Sequence, residues 1–184
     1  MKVIGITGTL GAGKGTIVEH LIAKGYVHFS AREFIISKIR EKGLEVNRDT
    51  MTLVANELRE NHNAAYIIES LYNQAKNLGK DCVIESVRTP AEVELLKKNE
   101  DFYLFAVDAD LELRYSRISL RKSETDRVSF EKFKEDEFRE MNSTDPNHQN
   151  IKACIDRADF VFKNNTTIED LIIELERVLQ KIDK

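Results

Sequence analysis

The chain has 184 residues, of which 41% are hydrophobic and 33% charged, a single-domain length with enough apolar material for a core and too much for wholesale disorder. Its formal net charge is −4, from 28 Lys plus Arg against 32 Asp plus Glu, which argues against a nucleic-acid coat or a protein held on an anionic membrane. Two Cys, no stretch near transmembrane length, and an apolar run after Lys2 that stops at Thr7-Gly8 lead us to expect a cytoplasmic protein with no disulfide scaffold and no signal peptide. Monomer and homodimer both stay open.

Short β-branched runs alternate with longer helical periods. Val3 to Thr7 reads as a buried strand, and Ile17 to Lys24 as a helix stopped by Gly25. Tyr26 to Phe29 is a short second strand. Ser30 can cap a helix carrying Phe34, Ile35 and Ile39, and Asp49 or Thr50 can cap one carrying Leu53, Val54 and Leu58. A further helix runs from Ala64 to Leu78 and stops at Gly79. Asp81 to Glu85 is the third strand. Pro90 suits the first position of a helix through Val93, Leu95 and Leu96. Phe102 to Val107 is the fourth strand, Leu111 to Leu120 a helix, Ser129 the cap of another reaching Met141, and Asp145-Pro146-Asn147 a turn. Phe160 to Phe162 makes the fifth strand and Ile168 to Ile182 a closing amphipathic helix. Strands separated by helices predict a doubly wound α/β domain around a parallel five-stranded sheet. The stretch 30–78 is longer than a crossover needs and suggests a helical insertion over the sheet edge. The whole of 1–184 reads as one domain.

Half of the eight glycines lie in Gly8-Thr9-Leu10-Gly11-Ala12-Gly13-Lys14-Gly15-Thr16. This fits G-x-x-x-x-G-K between a strand and a helix, the pattern of a phosphate-binding loop. Glycines let backbone N–H groups approach phosphate oxygens, and the following helix aims its unpaired N–H groups and positive dipole end at the same anion. Lys14 adds a mobile ammonium for the outer phosphates. A second local concentration of charge lies at 114–127, where Arg114, Arg117, Arg121, Lys122 and Arg127 face only Glu124 and Asp126. The spacing puts Arg114, Arg117 and Arg121 on one helix face, as an anion clamp would need. A basic face paired with the acidic stretch Glu131 to Glu140 accounts for the same pattern.

The usual loop places Ser or Thr directly after the Lys as a magnesium ligand, whereas here Gly15 precedes Thr16. This Gly-Lys-Gly-Thr variant resembles adenylate kinase and related P-loop nucleoside monophosphate kinases. The segment Val83-Ile84-Glu85-Ser86-Val87-Arg88-Thr89-Pro90 resembles an archaeal adenylate-kinase-related, dephospho-CoA-kinase-like group. Phe160-Val161-Phe162-Lys163-Asn164-Asn165-Thr166 is similar to the last strand and adenine-side loop of dephospho-CoA kinases and nucleoside monophosphate kinases. The resemblance implies a P-loop kinase using ATP and Mg²⁺. It places the donor on Gly8, Gly11, Ala12, Gly13, Lys14, Gly15 and Thr16, with Asn165 on the adenine side. It gives Arg88 the acceptor phosphate, helped by Ser30 and Arg32, and makes Glu85 the carboxylate that orders Mg²⁺ and its waters. Arg117 would stack on adenine, Arg121 would touch phosphates, and Arg127 would be a lid arginine in a lid near 114–130. A plain helix cap accounts equally for Ser30, and a solvated helix arginine for Arg32. The expected reaction is transfer from ATP to a nucleoside or deoxynucleoside monophosphate. The alternatives are a dephospho-CoA-kinase-like transfer to a hydroxyl, for which Asp49, Asp108 or Asp110 would have to act as base, and a non-catalytic nucleotide sensor. The four histidines show no metal-ligand spacing and read as surface or packing residues.

Overall fold

The computed structural model of the protein describes residues 1–120 and 128–183. The elements run β1 (Val3–Gly8), α1 (Lys14–Ala23), β2 (Val27–Ser30), α2 (Ala31–Glu41), α3 (Arg48–Asn61), α4 (Tyr66–Leu78), β3 (Cys82–Glu85), α5 (Pro90–Leu96), β4 (Phe102–Asp108), α6 (Leu111–Leu120), α7 (Phe130–Met141), α8 (Ile151–Ile155), β5 (Phe160–Lys163) and α9 (Ile168–Ile182). The strands form one sheet in the order β2-β3-β1-β4-β5, and every pairing is parallel. The expected five-stranded doubly wound sheet is therefore present.

Both faces of the sheet are covered, so its central strands are apolar at successive positions rather than at alternate ones. Ile4, Ile6, Val83, Phe105, Val107 and Phe162 pack under α1 and α9, against Ile17, Leu21, Leu171 and Leu175. Val3, Ile84, Phe102 and Leu104 face the other way, under α2 to α5 and α8, against Ile39, Val54, Ile68 and Val93. The closing helix behaves as its amphipathic pattern predicts, with Leu171, Leu175 and Leu179 buried. Three helices, α2 to α4, follow one another between β2 and β3.

Local signals explain most boundaries. Ser30 caps α2, its Oγ accepting from Glu33 N at 3.3 Å. Pro90 opens α5 behind a Thr89/Glu92 capping box, and Gly79 ends α4 in the left-handed conformation. The cap of α3 is Asn47, not Asp49 or Thr50. Thr50 is its third residue and completes a capping box, donating its backbone N–H to Asn47 Oδ1 at 2.9 Å. Cys154 reads from the sequence as a core residue on a helix, and that helix is α8, for which the sequence sets no bounds. It is five residues long, capped by Asn150, and buries Ile151 and Cys154. Both cysteines are buried, which pushes their thiols up to about 12 and leaves them inert. No helix among the described residues is long and apolar enough to cross a membrane.

Candidate active site

The carboxyl ends of β1, β3 and β4 lie side by side, where a doubly wound sheet places its ligands. The loop after β1 carries the phosphate motif. Gly8, Gly11 and Gly13 have φ of 131°, 81° and 105°, a region L side chains rarely adopt. Each also makes a close approach. An added Cβ would stand 2.0 Å from the Val107 carbonyl oxygen at Gly8, 2.6 Å from the Arg114 carbonyl oxygen at Gly11, and 2.3 Å from Asn164 Nδ2 at Gly13. Ala12 is buried, and Thr16 N donates to Gly13 O at 3.1 Å as α1 begins. Lys14 bends back over its own loop, Nζ donating to the Thr9 and Gly8 carbonyls at 2.7 and 3.0 Å.

Gly15 differs from its neighbours. It is exposed, lies in the first turn of α1, has no positive φ, and a Cβ there would meet nothing within 4 Å. Alanine at Gly15 is therefore expected to raise stability by about 0.5–1 kcal/mol through helix propensity and a less flexible unfolded chain, read as an increased Tm.

The loop is fixed from behind by β4, α6 and the β5–α9 turn. Thr9 Oγ1 donates to Asp108 Oδ1 at 2.9 Å, and Lys163 Nζ donates to Asp108 Oδ2 at 2.6 Å. Burial raises the Asp108 pKa, but these hydrogen bonds outweigh it and hold the carboxyl below the usual range. Arg114 is buried, and its Nε donates to Ala109 O at 2.7 Å. Its Nη2 donates to Glu137 at 2.9 Å, and its Nη1 reaches the same carboxylate and lies 3.4 Å from Leu10 O. Arg114 thus answers the acidic stretch of α7 and does not stand in an open arginine clamp. Arg117 is half-buried and donates to the Asn164 carbonyl at 3.0 Å. Arg121 and Arg127 lie outside the described residues.

On the β5 side it is Asn164 that meets the loop. It is buried, and its Nδ2 donates to Ala12 O at 2.8 Å. Asn165, the residue expected at the adenine side, clasps Asp110: its Oδ1 accepts from Asp110 N at 2.8 Å and its Nδ2 donates to Asp110 Oδ1 at 2.9 Å.

After β3 the chain turns sharply. Ser86 has φ of 73°, Ser86 N and Val87 N both donate to Ile6 O at 3.0 Å, and Thr7 Oγ1 donates to Val87 O at 2.7 Å. This left-handed step anchors the segment to β1 and delivers Arg88 beside the loop. Glu85, at the end of β3, is hydrogen-bonded to His28 of β2 at 3.2 Å. Burial raises its pKa, yet His28, Lys14 and Arg88 outweigh burial and keep it lowered. His28 thus stands beside Glu85 at this end of the sheet, which its lone position in the sequence did not reveal.

Next to the loop opens a cavity of about 800 Å³, mouth included. Its apolar wall comes from Leu10, Ala31, Ile35, Met51 and Ala55. Its polar wall comes from Arg32, Arg48, Arg59 and Arg88, with Ser86, Glu140 and Gln149. Arg32 is exposed, in the first turn of α2. Arg88 Nη1 donates to Gln149 Oε1 at 2.6 Å and Glu140 Oε2 at 3.1 Å. Arg59 is 2% exposed and donates to Glu92 Oε1 through Nε and Nη2 at 3.3 and 3.0 Å. The other Glu92 oxygen accepts from Arg88 N and Thr89 N at 2.6 and 3.1 Å. One buried carboxylate therefore holds the cavity-lining Arg59 from behind and caps α5. Arg48, Arg59, Glu140 and Gln149 were not among the residues singled out from the sequence. Ser30 acts as a helix cap and is not on the cavity wall.

Three carboxylates at this end of the sheet, Glu85, Asp108 and Glu140, have lowered pKa values. In each, burial raises the value and cationic or hydroxyl partners outweigh it. A group with a depressed folded pKa binds fewer protons when folded than when unfolded. The stability these three contribute is therefore present above their ordinary values of 3.8 to 4.5 and lost as pH falls through the lowered ones. Urea unfolding at a series of pH values is expected to show stability dropping on acidification below about pH 5, with a shallower drop in Glu140→Gln.

The comparisons agree with this geometry. A family model described as AAA domain matches residues 4–145. A UPF0200 protein of Methanocaldococcus jannaschii is 32% identical over 99% of this chain and 91% of its own length. A UPF0200/UPF0201 protein of Archaeoglobus fulgidus is 30% identical over the whole of this chain, which spans 57% of that relative's length. Among solved structures, TT1252 from Thermus thermophilus superposes with a TM-score of 0.66 at 20% identity, covering 98% of this chain and 97% of that one. Shikimate kinase from Bacteroides thetaiotaomicron gives 0.60 at 14% identity, covering 97% and 98%. Dephospho-CoA kinase from Campylobacter jejuni gives 0.54 at 18%, covering 98% and 97%. These likenesses show the fold. The chain belongs to the UPF0200 family of AAA-domain proteins, and its phosphate loop and parallel sheet are built on the P-loop kinase fold.

Proposed function

We propose that the protein transfers the γ-phosphoryl group of ATP to a nucleoside or deoxynucleoside monophosphate in the cytoplasm. One observation carries this reading: the phosphate loop and the cavity with four arginines share a wall at Leu10. Two anion sites thus sit side by side, as direct transfer between two phosphates requires. The apolar wall of Ala31, Ile35 and Met51 suits a flat base, and Arg88 suits the acceptor phosphate.

The loop fits a nucleotide triphosphate, since its three positive-φ glycines form a cradle that a Cβ would fill. In the same reading Gly15 and Thr16 would turn the first N–H groups of α1 toward the phosphates, and Lys14 would neutralise the outer ones. Arg117 would lie against the adenine. Mg²⁺ bound with the nucleotide would supply charge neutralisation at the bridging oxygens. Glu85, kept ionised by His28 and Lys14, could hold that ion through its waters. Catalysis would then be alignment plus charge stabilisation, with no protein base, because the acceptor is already an anion. The hydroxyl-acceptor reading finds less support. Asp108 is taken by Thr9 and Lys163, and Asp110 by Asn165.

A coupled assay with ATP and a panel of nucleoside monophosphates is the test. We expect turnover with at least one member of the panel. Tight binding of a bisubstrate dinucleotide with no turnover would replace this reading with a sensor, and turnover on dephospho-CoA alone would replace it with hydroxyl transfer.

A further inference from the structure

We propose that Arg48 is the second guanidinium of the acceptor-anion site, and that the Glu140 carboxylate is an internal ion which a phosphate-monoester dianion displaces from between Arg48 and Arg88. The inference rests on the kinase reading for the identity of the cavity as the acceptor site.

Glu140 bridges the two arginines. Its Oε1 accepts from Arg48 Nη2 at 2.9 Å and its Oε2 from Arg88 Nη1 at 3.1 Å. Two guanidinium groups held apart by one carboxylate present the spacing a tetrahedral anion can occupy.

Neither member of the Arg48–Glu140 pair sits where its own helix favours it. Arg48 is the first residue of α3, an end that prefers negative charge. Glu140 is the penultimate residue of α7, an end that prefers positive charge. Their neighbours Asp49 and Arg139 have the favoured signs. A local conflict at both partners of one contact points to a selected tertiary role. Burial raises the Glu140 pKa, but Arg88 and Arg48 outweigh it, so the bridge is an ion pair at neutral pH.

The bridge also leaves donors unspent. Arg48 Nη1 and Arg59 Nη1 are buried and have no hydrogen-bond partner among the described residues, although both side chains line the cavity. Arg59 is 2% exposed. Such groups are rare in folded chains and call for an acceptor, which a ligand oxygen or an ordered water supplies. The cavity wall carries four arginines against the single carboxylate of Glu140. Glu92 and Asp136 serve Arg59 and Arg48 from behind.

This count selects the ligand by charge. A monoanion replacing Glu140 returns the two arginines to where they were. A phosphate monoester brings twice the charge and more acceptor oxygens, which the unspent Nη1 groups can use. Glu140 thus screens against simple carboxylates and admits dianions.

The test uses the full chain carrying Lys14→Ala, so that the phosphate loop competes weakly. Inorganic phosphate is titrated calorimetrically, with nitrate at matched ionic strength as the monoanion. With Glu140 present, phosphate is expected to bind at least about tenfold tighter than nitrate, and Glu140→Gln should tighten phosphate by about tenfold more. Arg48→Gln should weaken phosphate by about tenfold and cancel most of the gain from Glu140→Gln in the double variant. Glu140→Asp, whose shorter carboxylate reaches both arginines less well, should give an intermediate gain and stands in if Glu140→Gln fails to fold. Phosphate bound no tighter by these Glu140 variants, or bound as well by Arg48→Gln as by the parent, overturns the proposal. Transfer activity in the unmodified chain with a flat phosphate response would sink this inference alone. The expected phosphate pattern with no transfer to any acceptor would sink the kinase reading alone.

Discussion

Replacing Lys14 with alanine should lower phosphoryl transfer by about 10³-fold or more, with the chain still folded. Lys14 leads α1 at the point where the three positive-φ glycines turn the loop. As transfer proceeds, charge on the phosphoryl oxygens shifts, and a flexible ammonium is the group able to follow it. The expected stability cost is small. Lys14 Nζ donates to the Thr9 and Gly8 carbonyls, and losing such hydrogen bonds at a half-buried site costs about 1 kcal/mol, a shift of a few degrees in Tm at this chain length. The measurement pairs a coupled transfer assay with thermal denaturation of the same preparation. Full activity in Lys14→Ala would remove the kinase reading. A collapsed Tm would show instead that Lys14 is chiefly a structural clasp.

The sheet was legible because its signals are local and repeated. Five β-branched or aromatic runs, each followed by a helical period, leave few arrangements once crossovers are right-handed. The loop was legible because scarce glycines sit at fixed offsets from one lysine, and three of them hold backbone angles that demand glycine. The cavity beside the loop was not legible in this way. Arg48, Arg59, Glu92 and Glu140 come from three separate helices and meet only in the folded chain. Each alone looks like an ordinary helix charge. The one available signal was the wrong sign at two helix ends, Arg48 at the start of α3 and Glu140 at the end of α7, and it is weak because such charges on a surface are tolerated. The role of Asn164 against the loop was not legible for a different reason. A strand end followed by a turn does not say which of two adjacent side chains points inward, and here it is Asn164 that bonds to Ala12 O. His28 carries no signal in the sequence because its partner Glu85 lies 57 positions away and is brought to it only by the β2–β3 pairing. Likewise the bounds of α8 were not legible because five residues show too little periodicity to register.

Alanine at Gly8 should be the most damaging single-methyl change in the chain, costing more than about 3 kcal/mol and leaving little folded protein at 37 °C. Gly8 ends β1 opposite Val107 of β4 in the central pair of the sheet. Its φ is 131°, and an added Cβ would stand 2.0 Å from the Val107 carbonyl oxygen, with the Val107 carbonyl carbon and amide nitrogen each at 2.9 Å. Those are backbone atoms of a buried strand, so no side chain can swing aside, and relief requires β1 and β4 to part. The backbone angle adds strain of its own, since L residues at such a φ are disfavoured by about 1–2 kcal/mol. Gly15→Ala is the matched control. It adds the same methyl group to the same loop, yet meets nothing within 4 Å, and should move Tm upward. If the glycines served only loop flexibility, the two variants would behave alike. Opposite signs in thermal denaturation, a steep fall for Gly8→Ala and a small rise for Gly15→Ala, would show that Gly8 is there for space and φ. A Gly8→Ala protein melting within about 2 °C of the parent would mean that β1 does not approach β4 this closely.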